Sequence, residues 1–128
     1  MELPDDIKYL KSHEWVREDG DTYVVGITDF AQDQLGDVVF VELPSAGDRV
    51  TEGQGVAVVE SVKTASDIYA PFDGEIVEVN ADLDMSPELL NSEPFAGGWM
   101  FRIKPDSTPS GSSLLSADEY RKAIEEEA

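Results

Sequence analysis

Residues 56–71 read Val56-Ala57-Val58-Val59-Glu60-Ser61-Val62-Lys63-Thr64-Ala65-Ser66-Asp67-Ile68-Tyr69-Ala70-Pro71. The β-branched run Val56 to Val59 has the composition of a buried strand, and Ile68-Tyr69-Ala70 that of a partner for it. Between them, Ser61, Thr64, Ser66 and Asp67 suit a reversal of the chain. Paired, the two runs form a hairpin with Lys63 at or near its tip and the amine in water. Pro71-Phe72-Asp73-Gly74 then turns the chain into a further strand, Glu75 to Val79.

The same alternation of strand and turn extends outward. Tyr9 to Glu18 and Thr22 to Ile27 flank Asp19-Gly20, a strong hairpin signal, and Trp15, Tyr23, Val25 and Ile27 supply part of a core. Thr28 to Gly36 reads as a short helix, with Asp29 as its cap, Gln32 three residues on and Gly36 at its C-terminal end. Phe30 and Leu35 are its inward-facing residues. Asp37 to Leu43 is a strand, Pro44 to Asp48 a turn, and Arg49-Val50-Thr51 a short extended piece before the Gly53-Gln54-Gly55 turn. Ser86 to Asn91 reads as a short helix capped by Ser86, with Pro87 in first position. Gly97-Gly98 breaks the chain, and Trp99 to Lys104 is the last strand.

Pro105 to Ser113 is a Ser- and Pro-rich loop. Ser116-Ala117-Asp118-Glu119 is a capping box for a terminal helix running to about Glu126, with Leu115 and Tyr120 as its hydrophobic staple. Leu114 and Ile124 help dock it. Many short strands and little helix predict a mainly β fold, a compact sandwich or flattened barrel. The expected organisation is a single domain over 1–128, with a core at about 7–105, a loop at 106–115 and a C-terminal helix at 116–127.

A chain of 128 residues with 41% hydrophobic residues can bury a core without cross-links. Its formal net charge of -19 disfavours nucleic acid and anionic membrane surfaces as partners and favours proteins with basic docking faces. The absence of cysteine excludes disulfides, thiolate metal sites and cysteine nucleophiles, so any thiol chemistry must come from an attached group. Met1 to Asp6 is acidic and polar, unlike a secretory signal or an Arg-rich transit peptide. No apolar run approaches membrane-spanning length. The chain reads as cytoplasmic and bacterial, or as a processed mitochondrial matrix protein with an added Met.

A lone lysine in a turn is ordinarily a solubility residue, and composition alone says no more of Lys63. Its surroundings say more. Glu60-Ser61-Val62-Lys63-Thr64-Ala65-Ser66-Asp67-Ile68-Tyr69-Ala70-Pro71 resembles the lipoylation segment of the glycine cleavage system H protein family. Ser12-His13-Glu14-Trp15-Val16, Val25 to Gln32, Gln34 to Pro44 and Gly97-Gly98-Trp99 resemble that family too, in order, so the likeness spans nearly the whole chain.

The resemblance implies a lipoyl/biotinyl-type hybrid barrel-sandwich with short helices added. It implies a lipoyl carrier, not an enzyme, with lipoate joined to Lys63 by an amide. The product is a swinging arm that ends in a strained cyclic disulfide. It implies three enzyme partners. Glycine decarboxylase (P protein) loads the aminomethyl group as the disulfide is reduced, aminomethyltransferase (T protein) passes it to tetrahydrofolate, and dihydrolipoyl dehydrogenase (L protein) reoxidises the dithiol. A lipoate ligase or a lipoyl/octanoyl transferase would install the arm. A monomer is expected, because one arm must serve several partners in turn.

The loaded arm carries a cationic amine, so carboxylates at a cleft edge are the next candidates. Glu14 and Asp67 match the family's pattern there, with Ser12 and Thr64 as hydrogen-bonding neighbours. With 28 acidic residues, most carboxylates are solvated surface, and these two are weighed against that background. Gln34 stands where some family members carry histidine, so no histidine role is carried over. His13, the only histidine, reads as a partly exposed strand residue beside Glu14 rather than a base, and no zinc site is expected.

Three other readings are weaker. A lipoate relay supplying 2-oxoacid dehydrogenases would use the same lysine, but the whole-chain match favours the glycine shuttle. A biotinyl carrier would favour Met-Lys-Met where this chain has Val62-Lys63-Thr64. An acid–base hydrolase on Glu14 and Asp67 would lack a nucleophile and an oxyanion loop.

Overall fold

Strand-forming runs alternate with tight turns along most of the chain, and they pair as two antiparallel sheets. The structure, a computed structural model, describes residues 3–107 and 114–127. In chain order the elements are β1 (Lys8–Tyr9), β2 (Glu14–Asp19), β3 (Thr22–Ile27), α1 (Asp29–Leu35), β4 (Val38–Glu42), β5 (Arg49–Val50), β6 (Gly55–Ser61) and β7 (Ala65–Tyr69). They continue with β8 (Gly74–Val79), α2 (Asp82–Met85), α3 (Leu89–Ser92), β9 (Phe101–Pro105) and α4 (Ala117–Glu127). One sheet runs β1-β2-β3-β9-β8-β5 and the other β4-β6-β7.

Side chains alternate across a strand, and that period sorts the core. Val25 and Ile27 of β3, Ile76 of β8 and Ile103 of β9 meet Val41 of β4, Ala57 and Val59 of β6 and Ile68 of β7 in one apolar layer. On β2, Val16 joins this layer, while its neighbour Trp15 turns to the other face. There Trp15 packs with Tyr9, Val24, Tyr120 and Ile124 beneath α4. The six-stranded sheet is therefore apolar on both faces where α4 lies. Trp15 sits opposite Gly26, where a methyl group would stand 2.8 Å from the indole. Only glycine fits there.

The mainly β fold agrees with the sequence reading, and several boundaries move. The Tyr9–Glu18 run divides into β1 and β2, because Leu10 to His13 forms a turn in which the His13 N–H donates to the Leu10 carbonyl at 3.0 Å. His13 is thus a turn residue with φ 77°, not a strand residue. The first hairpin turns at Gly20-Asp21, one residue later than Asp19-Gly20, with Asp19 paired to Thr22. The cap of α1 is Thr28, whose Oγ1 accepts the Ala31 N–H at 3.1 Å, and Asp29 instead receives the Gln32 side-chain amide at 2.7 Å. Leu35 is buried as expected, while Phe30 is half-buried.

Ser86 ends α2, its N–H donating to the Asp82 carbonyl at 2.8 Å, and α3 begins only at Leu89. The last strand starts at Phe101, since the Trp99 N–H is used in a turn with Ala96. The capping box forms reciprocally: Ser116 N–H donates to Glu119 Oε1 at 2.9 Å and Glu119 N–H to Ser116 Oγ at 3.2 Å. These contacts hold the Glu119 carboxyl below its usual range. Residues 108–113 of the expected loop lie outside the described residues.

Candidate functional site

The β6–β7 hairpin pairs from Glu60 opposite Ala65 to Gly55 opposite Tyr69. The Ser61 N–H donates to the Thr64 carbonyl at 2.8 Å, so Val62 and Lys63 are the central residues of a tight turn. Ser61 Oγ receives the N–H groups of Lys63 at 3.3 Å and Thr64 at 3.2 Å. A serine at this position lets the turn satisfy its own donors. From the turn itself, the Val62 N–H donates outward to the Asp37 carbonyl at 3.1 Å.

Lys63 is exposed, as expected for a hairpin tip, but its stem does not stand free in water. A methyl group on Gly36 would lie 3.3 Å from Lys63 Cε and 3.8 Å from Nζ. The stem therefore crosses the C-terminal end of α1, where helix carbonyls favour a cation. Gly36 has φ 77°, so glycine serves both the backbone turn and the close approach. Asn91 of α3 locks this corner. Its Nδ2 donates to the Gly36 carbonyl at 2.8 Å and to Gln32 Oε1 at 3.1 Å, and its Oδ1 accepts the Val38 N–H at 2.9 Å.

Beside the lysine lies a cleft of about 550 Å³. Phe30, Ala31, Gln34 and Leu35 of α1 form one wall, and Thr64, Ala65, Ser66 and Ile68 the other. Ile27, Ser12, His13 and Glu127 complete the lining. Leu35 precedes Gly36 and Thr64 follows Lys63, so the root of the Lys63 stem sits at the mouth of the cleft.

Of the expected neighbours, Ser12 and Thr64 line the cleft. Glu14 lies behind Ser12, fully buried, with Oε1 receiving the Ser12 hydroxyl. Its Oε2 accepts the Tyr69 N–H at 3.1 Å, which joins β2 to the edge strand β7 of the other sheet. Burial pushes the Glu14 carboxyl above its ordinary value, and the hydrogen bonds from Ser12 and Tyr69 partly offset this. Asp67 is not brought to the cleft. Its strand neighbours Ser66 and Ile68 face the cavity, and alternation turns Asp67 to the exposed outer face, opposite Val58.

The far rim comes from distant parts of the chain. His13 Nδ1 lies 2.7 Å from the Tyr120 hydroxyl, which is also 2.7 Å from Thr28 Oγ1. His13 Nε2 lies 3.1 Å from Glu127 Oε2. The last turn of α4 therefore reaches the cleft, which no local pattern in the sequence indicates. The α1 wall was more accessible: 30, 31, 34 and 35 follow helical spacing on one face. Burial pushes the Tyr120 hydroxyl above its ordinary range, so it stays protonated as a hydrogen-bonding group.

Two small antiparallel sheets, a lysine at a hairpin tip and a cleft at the root of its side chain define a lipoyl-type barrel-sandwich carrier. Residues 7–127 match the glycine cleavage H-protein family. A glycine cleavage system H protein of Thermus thermophilus is 57% identical over 128 residues, covering 100% of both chains. That of Pseudoalteromonas atlantica is 56% identical over 126 residues, 98% of each chain. The crystal structure of a glycine cleavage system H protein from Mycobacterium marinum superposes with a TM-score of 0.88 at 38% identity, covering 96% of this chain and 99% of that one. The chain belongs to the glycine cleavage H-protein family, the carrier component of glycine cleavage.

Proposed function

We propose that lipoate is held as an amide on Lys63 Nζ and that the chain shuttles the aminomethyl group and reducing equivalents of glycine cleavage. The donor is glycine decarboxylase, and the recipients are aminomethyltransferase and dihydrolipoyl dehydrogenase. The observation that carries this reading is the Lys63 stem laid over Gly36 at the mouth of the cleft. Once bound, lipoate supplies a strained ring disulfide that opens on reduction.

The residues present fit such an arm. Ile27, Phe30, Leu35 and Ile68 offer apolar surface to its hydrocarbon part, and Ser12, Gln34 and Ser66 offer polar contacts. The walls would shield part of such an arm from water. A cationic amine brought against Ser12 would give the desolvated Glu14 carboxylate a charge partner. Asp67 is exposed and is not among the residues that line the cleft.

A tether on an exposed turn keeps the carried group at high effective concentration near each docked enzyme. A net charge of -19 suits partners with basic faces. A lipoate ligase or a lipoyl/octanoyl transferase installs the arm. We place the chain in the cytoplasm with its bacterial relatives, as a monomeric single domain. Among the described residues, no helix is long and apolar enough to cross a membrane.

The test is intact mass and peptide mapping after incubation with lipoate, ATP and a lipoate ligase, on the wild type and Lys63→Ala. A lipoyl adduct on Lys63 in the wild type and none in the variant is expected. Folded wild type that takes no adduct would overturn the reading.

A further inference from the structure

Strand β4 does not alternate. Val38 and Val41 are buried, while Val39 and Phe40 between them both face water, 53% and 51% exposed. The cause is a register shift between Val38 and Phe40: Val38 pairs with Ser61 and Phe40 with the adjacent Glu60, leaving Val39 over. A bulge of this kind bends the strand and redirects its side chains. The shift is held from outside the sheet. Asn91 Oδ1 accepts the Val38 N–H, and Asn91 Nδ2 donates to the Gly36 carbonyl. The fold thus uses a side-chain amide to keep two large apolar residues out of the core.

Their position matters. Val38 pairs with Ser61, so Val39 and Phe40 stand beside the turn that carries Lys63. Val62, 71% exposed, extends the apolar surface to the lysine itself. Exposed apolar residues grouped around one turn mark an interaction site. The exposed acids Asp37, Glu42 and Glu60 border it, and none of them makes an ion pair among the described residues. The patch therefore has an apolar centre and an acidic rim, and it fits a protein face of apolar centre and basic rim.

We propose that this patch, Val39, Phe40 and Val62, is the docking surface for the enzyme that lipoylates Lys63, an inference that rests on the carrier reading above. The argument is one of reach. The ligase joins the lipoate carboxyl to AMP from ATP with release of pyrophosphate. Lys63 Nζ then displaces AMP and gives up a proton, forming the amide. The bare amine, on its four-carbon stem, must enter the ligase active site, so the ligase has to touch the surface around the turn. Enzymes that meet the finished arm act at its far end, so they need this surface less. Strand β4 lies at the edge of its sheet.

The test compares ligation of wild type, Val39→Ser/Phe40→Ser, Phe40→Leu, and Val77→Ser as an exposed apolar control on the other sheet. Initial rates of the mass shift with lipoate, ATP and ligase are measured against acceptor concentration. The double variant is expected to lose at least tenfold in kcat/KM, chiefly through KM. Phe40→Leu should recover most of the rate, and Val77→Ser should match the wild type. The double variant, driven to full lipoylation with excess ligase, should then be reduced by dihydrolipoyl dehydrogenase and NADH at the wild-type rate. Unchanged ligation of the double variant, or normal ligation with a loaded form that the dehydrogenase no longer accepts, would overturn the proposal. A wild type that takes no lipoate would instead sink the carrier reading beneath it.

Discussion

The two rims of the cleft are built in opposite ways. The Lys63 turn is held almost entirely by itself, through Ser61 and Thr64, with one tie to the Asp37 carbonyl. The facing rim at Ser12 to Glu14 is held by partners far off in sequence. His13 meets Tyr120, 107 positions later, and Glu14 meets Tyr69, 55 positions later. A turn that must present its side chain to other enzymes gains from being self-sufficient, because nothing has to open when a partner docks. A wall that must hold a shape gains from long-range ties, because these rigidify it only when the whole fold is in place.

That contrast can be broken at several points. Lys63→Ala should remove loading altogether and leave the melting temperature nearly unchanged, since an exposed turn side chain contributes within about 0.5 kcal/mol. Tyr120→Phe should cost about 1–3 kcal/mol in denaturant unfolding, because it strips the buried Thr28 hydroxyl and His13 of their partner. Ligation of Lys63 in that variant should stay at the wild-type rate. A ligation defect as large as the stability defect would show that the two rims are coupled.

Glu14→Gln sharpens the comparison through pH. The carboxyl is raised in the folded chain, so the folded state binds its proton more tightly than the unfolded state does. Wild-type stability from this group is therefore present at low pH and lost as pH rises through the window above 4.5. Glutamine keeps an acceptor for the Tyr69 N–H and undergoes no such loss. The melting temperature of Glu14→Gln relative to wild type should rise between pH 4 and pH 7, and a flat difference would contradict the assignment. The smallest effect is expected from Ser61→Ala. It leaves exposed turn N–H groups to water and should cost about 0.5 kcal/mol or less.

The same division explains what the sequence made legible. The Lys63 hairpin, the Asp19–Thr22 hairpin and the Ser116–Glu119 capping box are local devices, and each can be read from a few neighbouring residues. The α1 cap could not be settled locally, because Thr28 and Asp29 are both good capping residues. Thr28 is the cap in a fold where its hydroxyl also meets Tyr120. The outward placement of Asp67 is not legible locally, because the face a strand residue occupies depends on register, and a one-residue shift reverses it. The outward turn of Val39 and Phe40 depends on a bulge held by Asn91, and Glu127 reaches the cleft only through the docking of α4. Neither leaves a periodic trace in the chain.

The most direct test of the account is glycine–bicarbonate exchange with a glycine decarboxylase, using lipoylated wild type and the folded Lys63→Ala variant. Exchange should rise in proportion to the loaded wild-type fraction and be absent with Lys63→Ala. Exchange supported by Lys63→Ala, or none from fully loaded wild type, would contradict it.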